Sequence, residues 1–450
     1  MRIECVQAPA AGSRFLSRFA SALARWVPAL LTAVVAFGAG AAEAAGEHRD
    51  GAWGDQRDGA RGPAWRGFLE LAAGTRIDGS DEPTTATLAE LRGRAGTEWA
   101  ADRWIASLEA DVTRDQALHD TRLDLRELAV QFSAARTLNV KAGRQVLTWG
   151  TGDLVFLNDL FPKDFESFFA GRGDEYLNAP STALRLTAGG GWVDLDLVWT
   201  PEFEPDRYLD GERFSFFEAA GGDIAVYDPP LSVDRPEGLD SGEVAVRLLK
   251  RMGAMELALY AHHGWFKQPT ARNRRGRATF APMQSAGFSV RAPVGAGRLN
   301  AEGSWYESRD DGNGDNPDVP NSQARWVLGY EGELTRGLTA GLQYYGERLD
   351  DPAMQRATYP DPRTAPDKWR SVFTLRLTWR APADDLTLGL FALHSPSDDD
   401  YYLRPTATYR LGGAWQLSGG INLFGGTKPY TAFGQFEDND NVYLRLRRYY

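Results

Sequence analysis

The chain has 450 residues, a net charge of −11 and a pI near 5.2, an acidic balance that argues against a nucleic-acid partner. After Phe37 no apolar run reaches the roughly 20 residues of a spanning helix, which excludes a helical membrane protein. Aromatics are 12% of the residues, glycines number 48 and mean hydropathy is −0.41. A soluble chain this long would carry fully apolar core segments, and they are almost absent.

The N-terminus reads as an address. Arg14, Arg18 and Arg25 form a positive flank, Trp26 to Phe37 is apolar, and small residues follow. Ala39-Gly40-Ala41 or Ala42-Glu43-Ala44 offers a cleavage site. The alternative, a retained membrane anchor, needs a longer apolar run. We expect a signal peptide over 1–44, a mobile Gly-, Asp- and Arg-rich segment over 45–64, and a folded unit over 65–450. Cys5 is the only cysteine and falls in the signal. The mature chain is therefore expected to lack thiol, disulfide and Cys-based metal or nucleophile chemistry.

From Trp65 onward the chain alternates. Trp104, Ala106, Leu108, Ala110 and Val112 interleave with Ser107, Glu109, Asp111 and Thr113. Val193, Leu195, Leu197 and Trp199 interleave with Asp194, Asp196 and Thr200. Phe373, Leu375, Leu377 and Trp379 do so with Thr374, Arg376 and Thr378, and Trp415, Leu417, Ile421 and Leu423 with Gln416, Ser418 and Asn422. Period two with charge on one face marks strands. A soluble sandwich also alternates, but its strands are usually nearer five or six residues, whereas segments of about ten fit a tilted membrane strand.

Turn spacing separates these readings. Short connections fall at Ala100 to Asp102, Ala134 to Arg136, Gly189 to Gly191, Arg251 to Gly253, Val294 to Ala296, Thr335 to Gly337, Pro382 to Asp384 and Gly412-Gly413. A longer polar connection lies between each consecutive pair. The expected fold is all-β, an antiparallel transmembrane β-barrel of about 18 strands, or 16 if two weak segments fall away. Its short turns would be periplasmic and its long loops extracellular.

The third loop, Gly150 to Ala179, is too aromatic for a solvated connection. Leu154, Val155, Phe156, Leu157, Leu160, Phe161, Phe165, Phe168 and Phe169 need a surface to pack on. The barrel's inner wall would supply one, with Asp153, Asp159, Lys163, Asp164, Glu166, Arg172, Asp174 and Glu175 then lining a pore constriction. Alternatively the loop lies over the rim or meets a neighbouring subunit.

Gly143-Arg144-Gln145-Val146-Leu147-Thr148-Trp149-Gly150, with Gly152-Asp153 after it, resembles a porin-like bacterial outer-membrane family. In that family G-R-Q-x-x-x-W-G ends a strand and begins a long loop. Pro201-Glu202-Phe203-Glu204-Pro205-Asp206-Arg207 is similar to a second patch of the group. Val442, Leu444, Leu446 and Tyr450 resemble the terminal-strand signal read by the barrel-assembly machinery, with departures at Arg448 and in the final Tyr. The resemblance implies a membrane pore of unstated substrate.

Inward positions carry charge. Early strands place Glu109, Asp111, Glu127, Asp194 and Asp196 there, and late strands place Arg376, Arg404, Arg410, Arg445 and Arg447. Opposite signs on different arcs would set a transverse field across a water path. The alternative is a set of cross-strand salt bridges without a transport role.

No Gly-x-Ser-x-Gly elbow, HExxH or phosphate loop appears, and of the five histidines only His262 and His263 are neighbours. Adjacent residues on a strand point to opposite faces. Asp311, Asn313 and Asp315, within Asp310 to Asp318, offer oxygens suited to an extracellular Ca²⁺; a solvated acidic loop is the other reading, and no other cofactor is expected. The expected function is passive passage of a small hydrophilic solute across the outer membrane. Expected surroundings are the bilayer, lipopolysaccharide and the assembly machinery, with oligomers allowed. A barrel serving an export or surface complex, or a barrel-embedded enzyme, are the alternatives.

Overall fold

The computed structural model describes residues 64–77, 84–218, 223–226, 231–358 and 361–450. The expected signal peptide, with Cys5 and both cleavage sites, lies outside the described residues, as does all of the 45–64 segment except Ala64.

Eighteen strands close on themselves. In chain order they are β1 Arg66–Arg76, β2 Leu88–Ala100, β3 Trp104–Asp115, β4 Asp120–Ala135, β5 Leu138–Val146, β6 Pro180–Ala188, β7 Asp194–Thr200, β8 Glu243–Met252 and β9 Met255–Trp265. There follow β10 Pro282–Val294, β11 Gly297–Ser308, β12 Gln323–Thr335, β13 Leu338–Leu349, β14 Trp369–Arg380, β15 Leu386–Ser395, β16 Asp400–Arg410, β17 Trp415–Gly426 and β18 Asn441–Tyr449. Every neighbour pairs antiparallel, and β1 meets β18 in the register Leu71↔Leu446. Closure leaves no unpaired edge, the one condition under which strands can cross a bilayer. The expected strand count and the eight short turns match this architecture.

The two faces follow the alternation. On β11, Asn300, Glu302, Ser304, Tyr306 and Ser308 are buried while Trp305 between them is exposed. The outside carries exposed Leu128, Leu248, Leu259, Leu328 and Leu342 along the middle of the strands. Exposed aromatics sit at both ends, with Trp99, Trp104, Tyr330 and Tyr409 beside short turns and Trp199, Trp305, Trp369 and Tyr401 beside long loops. An apolar band between two aromatic girdles is the surface a bilayer selects. No helix among the described residues is long and apolar enough to cross a membrane.

The largest apolar cluster lies inside the barrel, and the third loop supplies much of it. Leu157, Phe168, Phe169 and Leu177 pack with Val372, Phe391, Tyr402, Phe424 and Tyr443 from the late strands. Phe169 meets Tyr402, Phe424 and Phe436 with ring centroids 5.7, 5.2 and 5.5 Å away. Aromatic pairs at such separations add roughly 0.5–1.5 kcal/mol each beyond burial.

Candidate functional site

The site is built from loop 147–179 and the strands it touches. It leaves β5 through the Gly143 to Gly150 motif, and each fixed residue there has a mechanical role. Gly143 sits at φ 123°, and a Cβ would overlap the Leu128 carbonyl oxygen on β4. Gln145 is buried and donates to the Ala183 carbonyl at 3.1 Å. Trp149 donates its ring N–H to Asp196 on β7 at 3.1 Å. Arg144 pairs with Glu204 at 3.0 Å.

Past Gly150 the loop reaches the far wall. Thr151 and Gly152 donate backbone N–H groups to buried Glu302 on β11, and Asn158 donates to the same carboxylate at 2.8 Å. The Asp153 N–H bonds Gln343 on β13 at 2.9 Å, while its carboxylate pairs with Arg376 on β14. A short helix, α1 (Phe165–Ala170), follows, capped by Asp164, whose Oδ1 accepts the Ser167 N–H at 2.7 Å. It ends at Gly171 in the left-handed conformation, φ 82°, against the Tyr443 ring. Asn422 on β17 and Asn441 on β18 then donate to the Phe169 carbonyl at 2.8 and 3.2 Å. Asp174 pairs with Arg404 on β16 at 2.9 Å, and Glu175 with Arg447 on β18 at 2.7 Å. One loop therefore touches β2, β7, β11, β13, β14 and β16 to β18, so it crosses the interior.

The proposed constriction residues divide into two groups. Asp153, Asp174 and Glu175 keep 41%, 72% and 37% of their side-chain surface accessible. By contrast, Asp159, Lys163, Asp164, Glu166 and Arg172 are packed away, contrary to the expectation that they line a water path. Lys163 faces Asp159 at 2.9 Å with both side chains 3% exposed. Arg172 donates to Glu90 on β2 at 2.9 Å and to Glu166 at 3.3 Å. Buried charge must be paired, and these residues pair with the loop and the wall instead of water. Among the described residues a cavity of about 90 Å³ remains where Asp153 and Arg376 meet Arg291, Arg298, Asn300 and Gln343.

The expected arcs of opposite charge also need correction. Early strands carry their own inward cations. Glu109 and Asp111 meet Arg94 at 3.1 and 2.7 Å, and Glu127 meets Lys141 at 2.6 Å. Asp196 bonds Arg185 and Arg247 at 2.6 and 3.1 Å, and Asp194 bonds Arg251 at 2.8 Å. Late arginines face acids of the third loop or of β1, with Arg447 and Arg445 sharing Glu70 at 2.8 and 3.3 Å. Arg410 stands at the short-turn end, exposed and 3.2 Å from Asp384. Cross-strand pairing thus neutralises the early wall, and the acids that oppose the late wall come mainly from the loop.

Sequence reasoning missed the fourth loop, 201–242, as part of the site. Arg213, with its side chain 1% exposed, bonds Asp115 on β3 and meets Glu166 of α1 at 3.1 Å. Arg207 joins Asp124 on β4 and Asp164 of the third loop at 2.8 and 3.2 Å. The fourth loop carries no apolar run like that of the third; Phe203, Phe214 and Phe216 set among charges are its one sequence sign of burial.

Asp311 is buried and accepts the Asp315 N–H at 3.1 Å, while Asn313 and Asp315 are exposed. Among the described residues no three His, Cys, Asp or Glu side chains gather as a metal site.

No known family model and no curated protein matches the sequence. Solved structures do match in fold. OccD3 (OpdP) of Pseudomonas aeruginosa aligns with a TM-score of 0.51 at 11% identity, over 86% of this chain and 91% of that one. OccK11 (OpdR) of the same organism gives 0.49 at 15% identity, over 86% and 95%. A triple mutant of Rhodopseudomonas blastica porin gives 0.39 at 12% identity, over 86% and 100%. At such identities the likeness concerns architecture, and OccD3 carries it: the chain is a closed antiparallel barrel of eighteen strands, similar in fold to that protein.

Proposed function

We propose that the chain is an outer-membrane channel for passive passage of small hydrophilic solutes, narrowed by its third loop. A barrel whose outside is apolar and whose inside is charged separates lipid from water, and a water path is the use such an interior has. The observation that carries the reading is the set of pairs Asp153–Arg376, Asp174–Arg404 and Glu175–Arg447. Each joins the crossing loop to one arc of wall, and each leaves its carboxylate accessible. Solutes would pass along this arc, losing and regaining water against fixed charges of both signs.

The long loops would face outward, toward lipopolysaccharide, with both chain ends of the barrel on the periplasmic side. The terminal strand β18 would present Val442, Leu444 and Leu446 to the assembly machinery. Purified protein in a planar bilayer should give discrete conductance steps. Absence of steps from correctly inserted barrels would remove the channel reading and favour a partner role in an export or surface complex.

A further inference from the structure

The third loop, the fourth and the fifth, 266–281, meet at one carboxylate. Asp206, in the fourth loop, is 7% exposed. Its Oδ1 accepts the backbone N–H of Lys163 at 2.7 Å, and its Oδ2 accepts Gln268 Nε2 at 2.7 Å. Its own N–H donates to the Lys267 carbonyl at 3.0 Å. Arg207 and Phe165 continue the join, bonding Lys163 O and Arg207 O at 2.8 and 3.1 Å.

Among the described residues no cation forms an ion pair with this carboxylate, and the charges of Lys267 and Lys163, each engaged elsewhere, offset its burial only in part. From the third loop, Lys163 Nζ is held by Asp159 at 2.9 Å, and Asp164 is engaged with Arg207 at 3.2 Å. From the fifth, Lys267 Nζ is held by Glu243 of β8 at 2.5 Å. His262 of β9 stands 3.6 Å from that same Glu243, and Glu204 of the fourth loop is taken by Arg144 at 3.0 Å. The carboxylate is thus buried without an ion pair, which favours the protonated form, against two N–H donors that favour the ionised one.

We propose that Asp206 is a proton-set latch: proton uptake in mild acid tightens the third loop against the fourth and fifth, and proton loss near neutrality loosens it. The sign follows from linkage. Burial, partly offset by the Lys163 N–H and Gln268 bonds, raises the latched carboxyl from the ordinary range to about 6. The state with the raised value gains stability as pH falls through it. With an unlatched carboxyl in the usual range, the latch equilibrium shifts about tenfold toward the closed form between pH 7.5 and 5. The consequence for conductance rests on the channel reading; the latch itself does not.

The test is hydrogen exchange at the Lys163 and Phe165 amides of the whole barrel in detergent, corrected for intrinsic rates. Protection in the wild type should rise about tenfold from pH 7.5 to 5. Asp206→Asn should hold the acid-like value at both, and Gln268→Ala, which removes a donor to the ionised form, should move the midpoint upward. Protection that is flat with pH in the wild type overturns the latch. So does an undiminished response in folded Asp206→Asn, which would point to His262, or an unmoved midpoint in Gln268→Ala. Exchange reads the latch whether or not the barrel conducts, so failure of the channel reading and failure of the latch are distinguishable.

Discussion

Arg144 on β5 and Glu204 in the fourth loop pair at 3.0 Å, so the two short motifs read separately in the sequence are one joint. The first launches the third loop; the second, through Asp206 and Arg207, holds it from above. The loop is positioned by a second loop as much as by the wall.

The joint's most buried charge should be its costliest loss. Removing Arg213 takes from Asp115 and Glu166 one of two guanidinium partners in a dry cluster, leaving Arg172 at 3.8 and 3.3 Å, and removing one partner of a buried pair costs about 3–5 kcal/mol. Arg213→Met should lower unfolding free energy by that amount in lipid or detergent. Burial alone would raise the Glu166 carboxyl, but Arg213 and Arg172 outweigh it and hold it at about 2. Its contribution is therefore present above the ordinary carboxylate range and lost as pH falls toward 2. A loss below about 1 kcal/mol would mean that the cluster is hydrated.

Gly171 should tolerate no side chain. It ends α1 at φ 82°, and a Cβ would run into the Tyr443 ring. Gly171→Ala combines backbone strain, of order 1–3 kcal/mol, with that overlap. We expect faster protease cleavage within 165–175, and partial relief when Tyr443→Ala is added. An unchanged cleavage pattern in Gly171→Ala would show that the helix end can shift freely.

Much of the barrel was legible because the bilayer and the lumen impose period two. The Trp104–Val112 and Phe373–Trp379 runs declared their faces outright, and short turns gave the strand count. The charges were less legible. Asp159 and Asp153 are both loop acids in an aromatic stretch, yet one packs against Lys163 and the other stays accessible. That difference is set by contacts with Thr148, Gln343 and Arg376, distant partners that no local pattern encodes. Arg92 and Arg94 on β2 were passed over because the acids opposite them stood out, and a field argument fails when one sign is counted alone.

Selectivity should respond to the late arginines that face the loop. Arg376→Glu with Arg404→Glu turns two attractive pairs, with Asp153 and Asp174, into repulsive ones. Reversal potential across a salt gradient should move toward cations, and the shift should shrink at high salt, where screening length falls from near 10 Å at about 0.1 M to about 3 Å at 1 M. Arg410→Glu, at the short-turn end beside Asp384, should move it less. Equal effects at all three positions would place the selective region elsewhere.

The outward face makes a separate demand. Leu342, 58% exposed in the middle of β13, should not accept charge, since Arg at mid-bilayer depth costs about 2–4 kcal/mol. Leu342→Arg should reduce insertion, read by surface labelling of a tag placed after Gly312 in the sixth loop. The tag in the otherwise unaltered chain should label on intact cells. Labelling only after lysis would reverse the assigned orientation.

The central claim is that the third loop occupies the lumen of a conducting barrel, and single-channel recording tests it most directly. Deleting 154–169 removes the aromatic packing against Tyr402, Phe424 and Phe436 that holds the loop inside. The deleted barrel, still inserted by the tag criterion, should conduct with larger steps and weaker ion preference than the wild type. Steps and ion preference that match the wild type would contradict the claim, for a loop that crosses the water path cannot be removed without widening it.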